Sequence, residues 1–390
     1  MPGETAVIVR AYLAVFLTAT VVTFVVTPLV RRFVISVGVI DQPSDRRVHP
    51  EPKPTMGGLA MYVGFLAALG VSRFLPFFSG VNAASPEPVA ALVGCTLMVG
   101  LGAIDDTREI TALSKLTAQI FIAGVIVLLG VQFAYSWLPG QGIVVLSGDL
   151  PAILTIVWVV AVANAVNLVD GLDGLAAGMV AIAASVFFIY MVRSPSLFGD
   201  ASQAALLAAI TSGICVGFLP WNFYPAKIFM GDSGSMLLGM LLAISTIAGV
   251  GRNLFPPAAG DLAVIGGTAV VPLLVLAIPF LDVLLAVIRR TRRGVGIGVA
   301  DKEHLHHRLV DIGHGHREAV LLMYLWSALI SGCVLAIGLI NGRLVVGLIM
   351  LGAAVLFAVT AFPRLATRAH NGNGGPTERS GSADVRGPAP

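Results

Sequence analysis

Apolar residues in this chain fall in long runs separated by short polar breaks, not in the alternating or three-to-four spacing that marks the faces of a soluble core. Runs of about 17 to 25 apolar residues, the length a helix needs to cross a bilayer, lie near 9–30, 58–75, 88–104, 114–133, 151–167, 175–192, 203–221, 235–250, 262–288, 320–340 and 343–362. The pattern predicts an all-α integral membrane protein of about eleven transmembrane helices, its membrane domain filling residues 1–363. The first run is too long for a signal-peptide core, lacks a basic start and a small-residue cleavage site, and closes on Arg31 and Arg32. It is expected to remain as a helix. Pro272 and Pro279 predict a kink in the ninth run. Gly140, Gly142 and Gly148 around the apolar run 143–146 predict a small external hairpin over 139–150. Residues 364–390, rich in Gly, Pro, Ser and Arg, predict a disordered cytoplasmic tail.

Composition sharpens this picture. The chain is 57% hydrophobic and 12% charged, against about 25% charged in a soluble domain. With the N-terminus outside, fifteen of the 24 Lys and Arg fall in the loops 31–56, 105–115, 164–176, 221–235 and 289–319, against five on the other face. The positive-inside rule then places those loops and the C-terminus in the cytoplasm. Fourteen of the 21 carboxylates share that face, and insertion bias does not explain acids. A one-sided site for an ionic substrate would; polar loops that solvate helix ends are the plainer alternative. The net charge of +3 is small and its basic clusters sit at helix ends, so nucleic acid is not an expected partner. Cys95, Cys215 and Cys333 lie inside apolar runs without paired spacing and read as packing residues.

The loops carry the candidate chemistry. The first holds Asp41, Asp45, His49 and Lys53 among four prolines and ends in Gly57-Gly58, an extended path whose glycines permit close backbone approach. The second opens on Asp105-Asp106; adjacent carboxylates repel and are normally held by a cation, although a solvated helix end also tolerates them. In the third, Asn164 and Asn167 share a helical face and Asp170 and Asp173 emerge beside Gly171 and Gly174. Polar groups in an apolar helix are costly without a partner, about 2.5 to 3.5 kcal/mol for a carboxylate at mid-bilayer. Asp282 carries the same argument more mildly, since an arginine nearby would pair it. In the fourth, Asn222 and Phe229 precede Gly-Asp232-Ser-Gly-Ser, a turn feeding a helix N-terminus whose N–H groups attract anions; simple capping by Asp232 or Ser233 is the alternative. The fifth combines Arg289, Arg290, Arg292 and Arg293 with His304-Leu-His306-His307-Arg308. A diphosphate grip, a zinc site lacking a completing ligand and a basic patch on anionic membrane lipids all fit it.

Taken together, these motifs resemble the polyprenyl-phosphate N-acetylhexosamine-1-phosphate transferase family. The matching features are Asp-Gln-Pro with His49 and Pro-Thr-Met-Gly-Gly, Asp105-Asp106, Asn167-Leu-Val-Asp170-Gly-Leu-Asp173-Gly, Phe229-Met-Gly-Asp232-Ser-Gly-Ser and His304-Leu-His306-His307-Arg308, in family order over about 41–317. Leu305 between the histidines and Arg308-Leu309 after them look like the N-acetylglucosamine branch, where the phospho-MurNAc-pentapeptide branch has three consecutive histidines and Phe-Glu. The resemblance implies a multi-pass enzyme of a bacterial plasma (inner) membrane with a cytoplasmic site, UDP-GlcNAc as donor, a polyprenyl phosphate as acceptor, release of UMP, and Mg2+ with Mn2+ as the alternative ion. It leaves a homodimer open. Asp232 resembles the family's metal ligand, joined here by Asp105 and Asp106 as metal candidates. Asp105 also resembles the residue proposed to activate the lipid phosphate. Asp170, Asp173, Asn222 and Phe229 fall where the family holds the nucleoside, and His304, His306, His307 and Arg308 where it meets phosphate or sugar. His49, Asn164 and Asn167 join the substrate-binding candidates. Lys53 stands close to, but not at, the step of a nucleoside-holding lysine. Mg2+ takes one or two carboxylates plus substrate phosphates and water, so five Asp cannot all be ligands. The rival class is a lipid flippase or transporter, which places its ionisable residues at mid-membrane on broken helices.

Overall fold

A computed structural model of the chain describes residues 2–42, 52–108, 110–138, 142–193, 202–251, 314–339, 350–357 and 360. Helix α1 (Pro2–Ser36) is followed by the short strands β1 (Ile40–Asp41) and β2 (Lys53–Pro54), then α2 (Gly58–Phe74), α3 (Ser79–Ala84), α4 (Glu87–Arg108) and α5 (Ala112–Leu128). Strands β3 (Tyr135–Leu138) and β4 (Gly142–Val145) precede α6 (Leu150–Val169), α7 (Leu175–Arg193), α8 (Gln203–Asn222), α9 (Gly231–Thr246) and α10 (His316–Leu339). A further helical stretch covers 350–357.

Six helical segments among the described residues are long and apolar enough to cross a membrane: Ala6–Ser36, Glu87–Arg108, Leu150–Val169, Leu175–Arg193, Gln203–Asn222 and Gly231–Gly249. The shorter α2 and α5 are also apolar. On α1 the buried residues Tyr12, Val15, Ala19, Thr23 and Thr27 recur every three or four positions, while Leu13, Leu17, Val21, Phe24, Val25 and Leu29 lie exposed on the opposite side. A helix apolar on its exposed face suits lipid, not water. This is a multi-pass, all-α integral membrane protein.

Helix α9 is the centre, buried at every position from Ser233 to Thr246. It packs chiefly on α4 and α6, then on α8 and α2, while α1 closes on α2 and α8, and α10 on α7. Helix association in lipid relies on close van der Waals packing because lipid tails are as apolar as leucine. Small residues supply it: a Cβ at Gly213 would lie 2.7 Å from the Phe16 carbonyl oxygen, and one at Gly217 would meet the backbone of Thr20. Cys95 and Cys215 are buried, Cys333 half-buried, and all three are free thiols.

The helices run further than the apolar windows. Arg31 and Arg32 belong to α1, Asp105 and Asp106 to α4, Asn164 and Asn167 to α6, and Asp232 to α9. Hydropathy ends at the first charge, whereas a helix ends where its backbone finds a cap. The connections narrow accordingly to 109–111, 170–174 and 223–230. The hairpin is present as antiparallel β3 and β4, pairing Tyr135 with Val145 and Leu138 with Gly142. It starts ahead of the glycines that predicted it. The ninth apolar run with its kink, the loop 289–313 and the tail lie outside the described residues.

Candidate active site

Six separate segments meet at one end of α9. The β1–β2 pair aligns Asp41 with Lys53, and the chain after β2 is tied to the segment before α9 by three backbone bonds. Phe229 N–H donates to Pro54 (2.8 Å), Gly57 N–H to Phe229 (2.9 Å) and Gly58 N–H to Met230 (2.9 Å). The glycine pair makes this possible, since a Cβ at Gly58 would strike the backbone of Ser233 and Gly234.

Charge is concentrated where α4, α5, α6 and α9 converge. Lys115, in the first turn of α5, places its ammonium 2.8 Å from Asp105 Oδ2 and 3.1 Å from Asp232 Oδ2, and 3.4 Å from Asn167 Oδ1. Asp105 Oδ1 accepts the Ile110 N–H at 3.0 Å. The Asn167 amide donates to Asp232 Oδ1 and to Ser235 Oγ (2.9 Å). Three oxygens from three helices thus surround one cationic group. Asp106 turns to α9 instead, where it accepts the N–H groups of Asp232 (2.8 Å) and Ser233 (3.1 Å). The helix N-terminus read from sequence as an anion site therefore already holds an anion, a carboxylate of the protein. Neither Asp232 nor Ser233 sits at the N-cap position, which belongs to Met230.

Beside this cluster, Asp173 Oδ2 accepts from Lys53 Nζ (3.2 Å) and from the Ala226 N–H (2.8 Å). Lys53 Nζ also stands 5.2 Å from the centre of the Phe229 ring, within cation–π range. The turn 170–174 is braced by Tyr324 of α10, whose hydroxyl donates to the Gly174 carbonyl; Gly174 takes φ +80°. Asp170, half-buried in this turn, is pushed up to about 8, first by burial and then by the charges of Asp232, Asp106 and Asp173. Those interactions bring it into the same cluster.

Other sequence candidates stand apart. Asn222 is buried, with its amide on the Ile228 carbonyl (3.1 Å), so it shapes the 223–230 connection from behind. The Asn164 amide donates to Gln119 Oε1 (2.6 Å) and Val160 O (2.8 Å), joining α6 to α5 one turn away from Asn167. His49, His304, His306, His307, Arg308 and Asp282 lie outside the described residues.

Lys115 and Gln119 were missed from sequence. Their signal was nonetheless present: a lysine and a glutamine four apart on one face of a largely apolar helix, the argument that singled out Asn164 and Asn167. Lys115 was read only as a loop cation contributing to orientation.

Among the described residues no three His, Cys, Asp or Glu side chains close into a metal cage. Asp105 and Asp232 with the Asn167 oxygen nevertheless form an all-oxygen set with few carboxylates, which suits Mg2+ better than zinc. Asp170 aside, four carboxylates, Asp105, Asp106, Asp173 and Asp232, face two lysines here. Two like charges about 5 Å apart repel by about 3 kcal/mol at an effective dielectric near 20, so the cluster has a deficit of positive charge that a divalent ion would fill.

Fold and site define a helical membrane protein with an acidic, lysine-containing cluster at the polar ends of its central helices, an arrangement suited to a phosphorylated substrate. Residues 88–250 match glycosyl transferase family 4. The chain is 41% identical over 332 residues to a decaprenyl-phosphate N-acetylglucosaminephosphotransferase of Mycolicibacterium smegmatis, covering 83% of this chain and 81% of the relative. A Mycobacterium leprae protein of the same name is 39% identical over 370 residues, 92% of each chain. A probable undecaprenyl-phosphate N-acetylglucosaminyl 1-phosphate transferase of Bacillus subtilis is 34% identical over 318 residues, 81% of this chain and 82% of the relative. The chain belongs to glycosyl transferase family 4, in its polyprenyl-phosphate N-acetylglucosamine-1-phosphate transferase branch.

Proposed function

We propose that the chain transfers N-acetylglucosamine 1-phosphate from UDP-GlcNAc to a polyprenyl phosphate, giving polyprenyl diphosphate-GlcNAc and UMP as the first membrane step of a cell-envelope glycan. The carrying observation is the meeting of Asp105, Asn167 and Asp232 from three helices around the Lys115 ammonium. An oxygen of the lipid phosphate attacks the sugar-bearing phosphorus, and the bond from that phosphorus to the oxygen leaving with UMP breaks. Lipid phosphate needs little general-base help, because a phosphate monoester with a second pKa near about 6 is mostly dianionic at pH 7. Catalysis then rests on positioning and charge.

Mg2+, with Mn2+ as the alternative ion, would be held by Asp105, Asn167 and Asp232 and would supply neutralisation of the diphosphate. Lys115, released from its two carboxylates, is placed to meet a phosphate oxygen. Lys53, Asp173 and Phe229 form a wall of charge and ring suited to a nucleoside. We place the site on the cytoplasmic side of a bacterial inner-membrane protein with about eleven crossings and an external N-terminus, on the asymmetry of Lys and Arg. Detergent-solubilised protein supplied with UDP-GlcNAc, a polyprenyl phosphate and Mg2+ is expected to release UMP and lipid diphosphate sugar in equal amounts. Donor cleavage without lipid product would contradict the reading.

A further inference from the structure

Asp106 is built into the site differently from the acid beside it. Its two oxygens accept the N–H groups of Asp232 (2.8 Å) and Ser233 (3.1 Å), first-turn donors that have no acceptor within their own helix. No side chain preceding α9 does this work, for Met230 makes no capping bond. A Cβ at Gly231, which takes φ +71°, would lie 2.6 Å from both Asp106 oxygens and from Thr55 Oγ1. The Gly231 backbone therefore lies against the carboxylate. At Gly102, one turn before Asp106 on the same face of α4, a Cβ would strike the Ser233 nitrogen and lie 2.5 Å from the Asp232 carbonyl oxygen. Asp105 points instead at Lys115 and the Ile110 N–H.

We propose that Asp106 is a positioning residue, a helix cap supplied by α4 that fixes the first turn of α9 and so sets where the Asp232 carboxylate stands, without itself touching the divalent cation or the substrate. This rests on Asp232 being a cation-holding residue. The adjacent acids divide the work: one orients α9, and the other faces Lys115 and the substrate. A negative cap also complements the helix dipole, and a misplacement of about 1 Å at a reacting centre costs about 10²-fold in rate.

The test uses the full chain in detergent and compares Asp106→Ala and Asp106→Asn with Asp105→Asn and Asp232→Asn. Mn2+ binding, read by electron paramagnetic resonance, is expected to weaken in part in Asp106→Ala, to stay near wild type in Asp106→Asn and to be lost in Asp232→Asn. Amide exchange over 231–236 is expected to accelerate in Asp106→Ala but not in Asp105→Asn. Turnover falls about 10²-fold in Asp106→Ala at unchanged donor KM, and Asn, which keeps one acceptor oxygen, recovers part of it. Loss of Mn2+ binding in Asp106→Asn as complete as in Asp232→Asn would make Asp106 a ligand and overturn the proposal. Slowed turnover with unaltered exchange would overturn it as well. If Asp106→Ala does not fold, the Asn variant carries the same comparisons. A wild-type chain that transfers no sugar phosphate would sink the proposed function, while the exchange comparison would still decide whether Asp106 caps α9.

Discussion

Lys115 occupies the place where positive charge is most needed, 2.8 Å from Asp105 and 3.1 Å from Asp232. An ammonium in that position would compete with the proposed divalent ion for the same oxygens. Lys115→Met, which keeps the bulk and removes the charge, is expected to lower the thermal stability of cation-free protein and to enlarge the stabilisation produced by Mg2+, while turnover falls at least about tenfold, the effect of about 1.4 kcal/mol in the barrier. A thermal-unfolding series across Mg2+ concentrations checks this, and an unchanged Mg2+ response would count against competition. Asp170 yields a pH prediction. Its folded pKa is raised from 3.8 to about 8, so between those values the folded state holds a proton that the unfolded chain has released. Cation-free stability therefore falls as pH rises from about 4 to about 8, by up to about 1.4 kcal/mol per pH unit. Unfolding midpoints across that range are expected to fall for wild type and to fall less steeply in Asp170→Asn. How much of the site could be read in advance follows from the same residues. Asp105, Asp170, Asp173 and Asp232 were legible because an acid beside a membrane helix needs a partner. The partner of Asp106 was not, because it is a pair of backbone N–H groups 126 and 127 residues away, and backbone donors leave no mark in sequence.

At the scale of elements, helix existence was legible in each apolar run that falls on described residues, since such runs are set by the bilayer, but not in the short α3 (Ser79–Ala84), which falls in none of them. Helix ends were less so: caps and partner helices decide them, and they carried Asp105, Asp106 and Asp232 out of the expected loops and onto helices, whereas the spacing of Asn164 and Asn167 already put them on one. That shift is functional, since a side chain on a packed helix is held more firmly than one on a loop. Glycine separates structural from neutral positions. Gly217 of α8 faces the Thr20 backbone, whereas nothing lies within 4 Å of a Cβ at Gly124 in α5. Gly217→Ala is expected to destabilise the α1–α8 contact and lower the unfolding temperature. Gly124→Ala is expected to be neutral or to stabilise by up to about 1 kcal/mol through helix propensity. Equal effects in a detergent unfolding assay would show that the close approach of α1 and α8 does not matter.

For the whole molecule, the acids and lysines gather at one end of the central helices while the outward sides of α1, α5 and α6 remain apolar. A soluble donor and a lipid acceptor can meet only at such a boundary, where polar groups gather beside lipid-facing helices. Donor preference follows from the branch to which the chain belongs: UDP-GlcNAc is expected to be used and UDP-MurNAc-pentapeptide refused in a panel run with one polyprenyl phosphate, and preference for the pentapeptide would move the chain to the other branch. The dependence of turnover on Asp232 bears most directly on the idea that distant segments build one phosphate-transfer site. Purified wild-type protein should convert UDP-GlcNAc and polyprenyl phosphate to UMP and lipid diphosphate sugar, and Asp232→Asn, inserted in the membrane to the same level, should form neither; product from the Asn variant at the wild-type rate would contradict it.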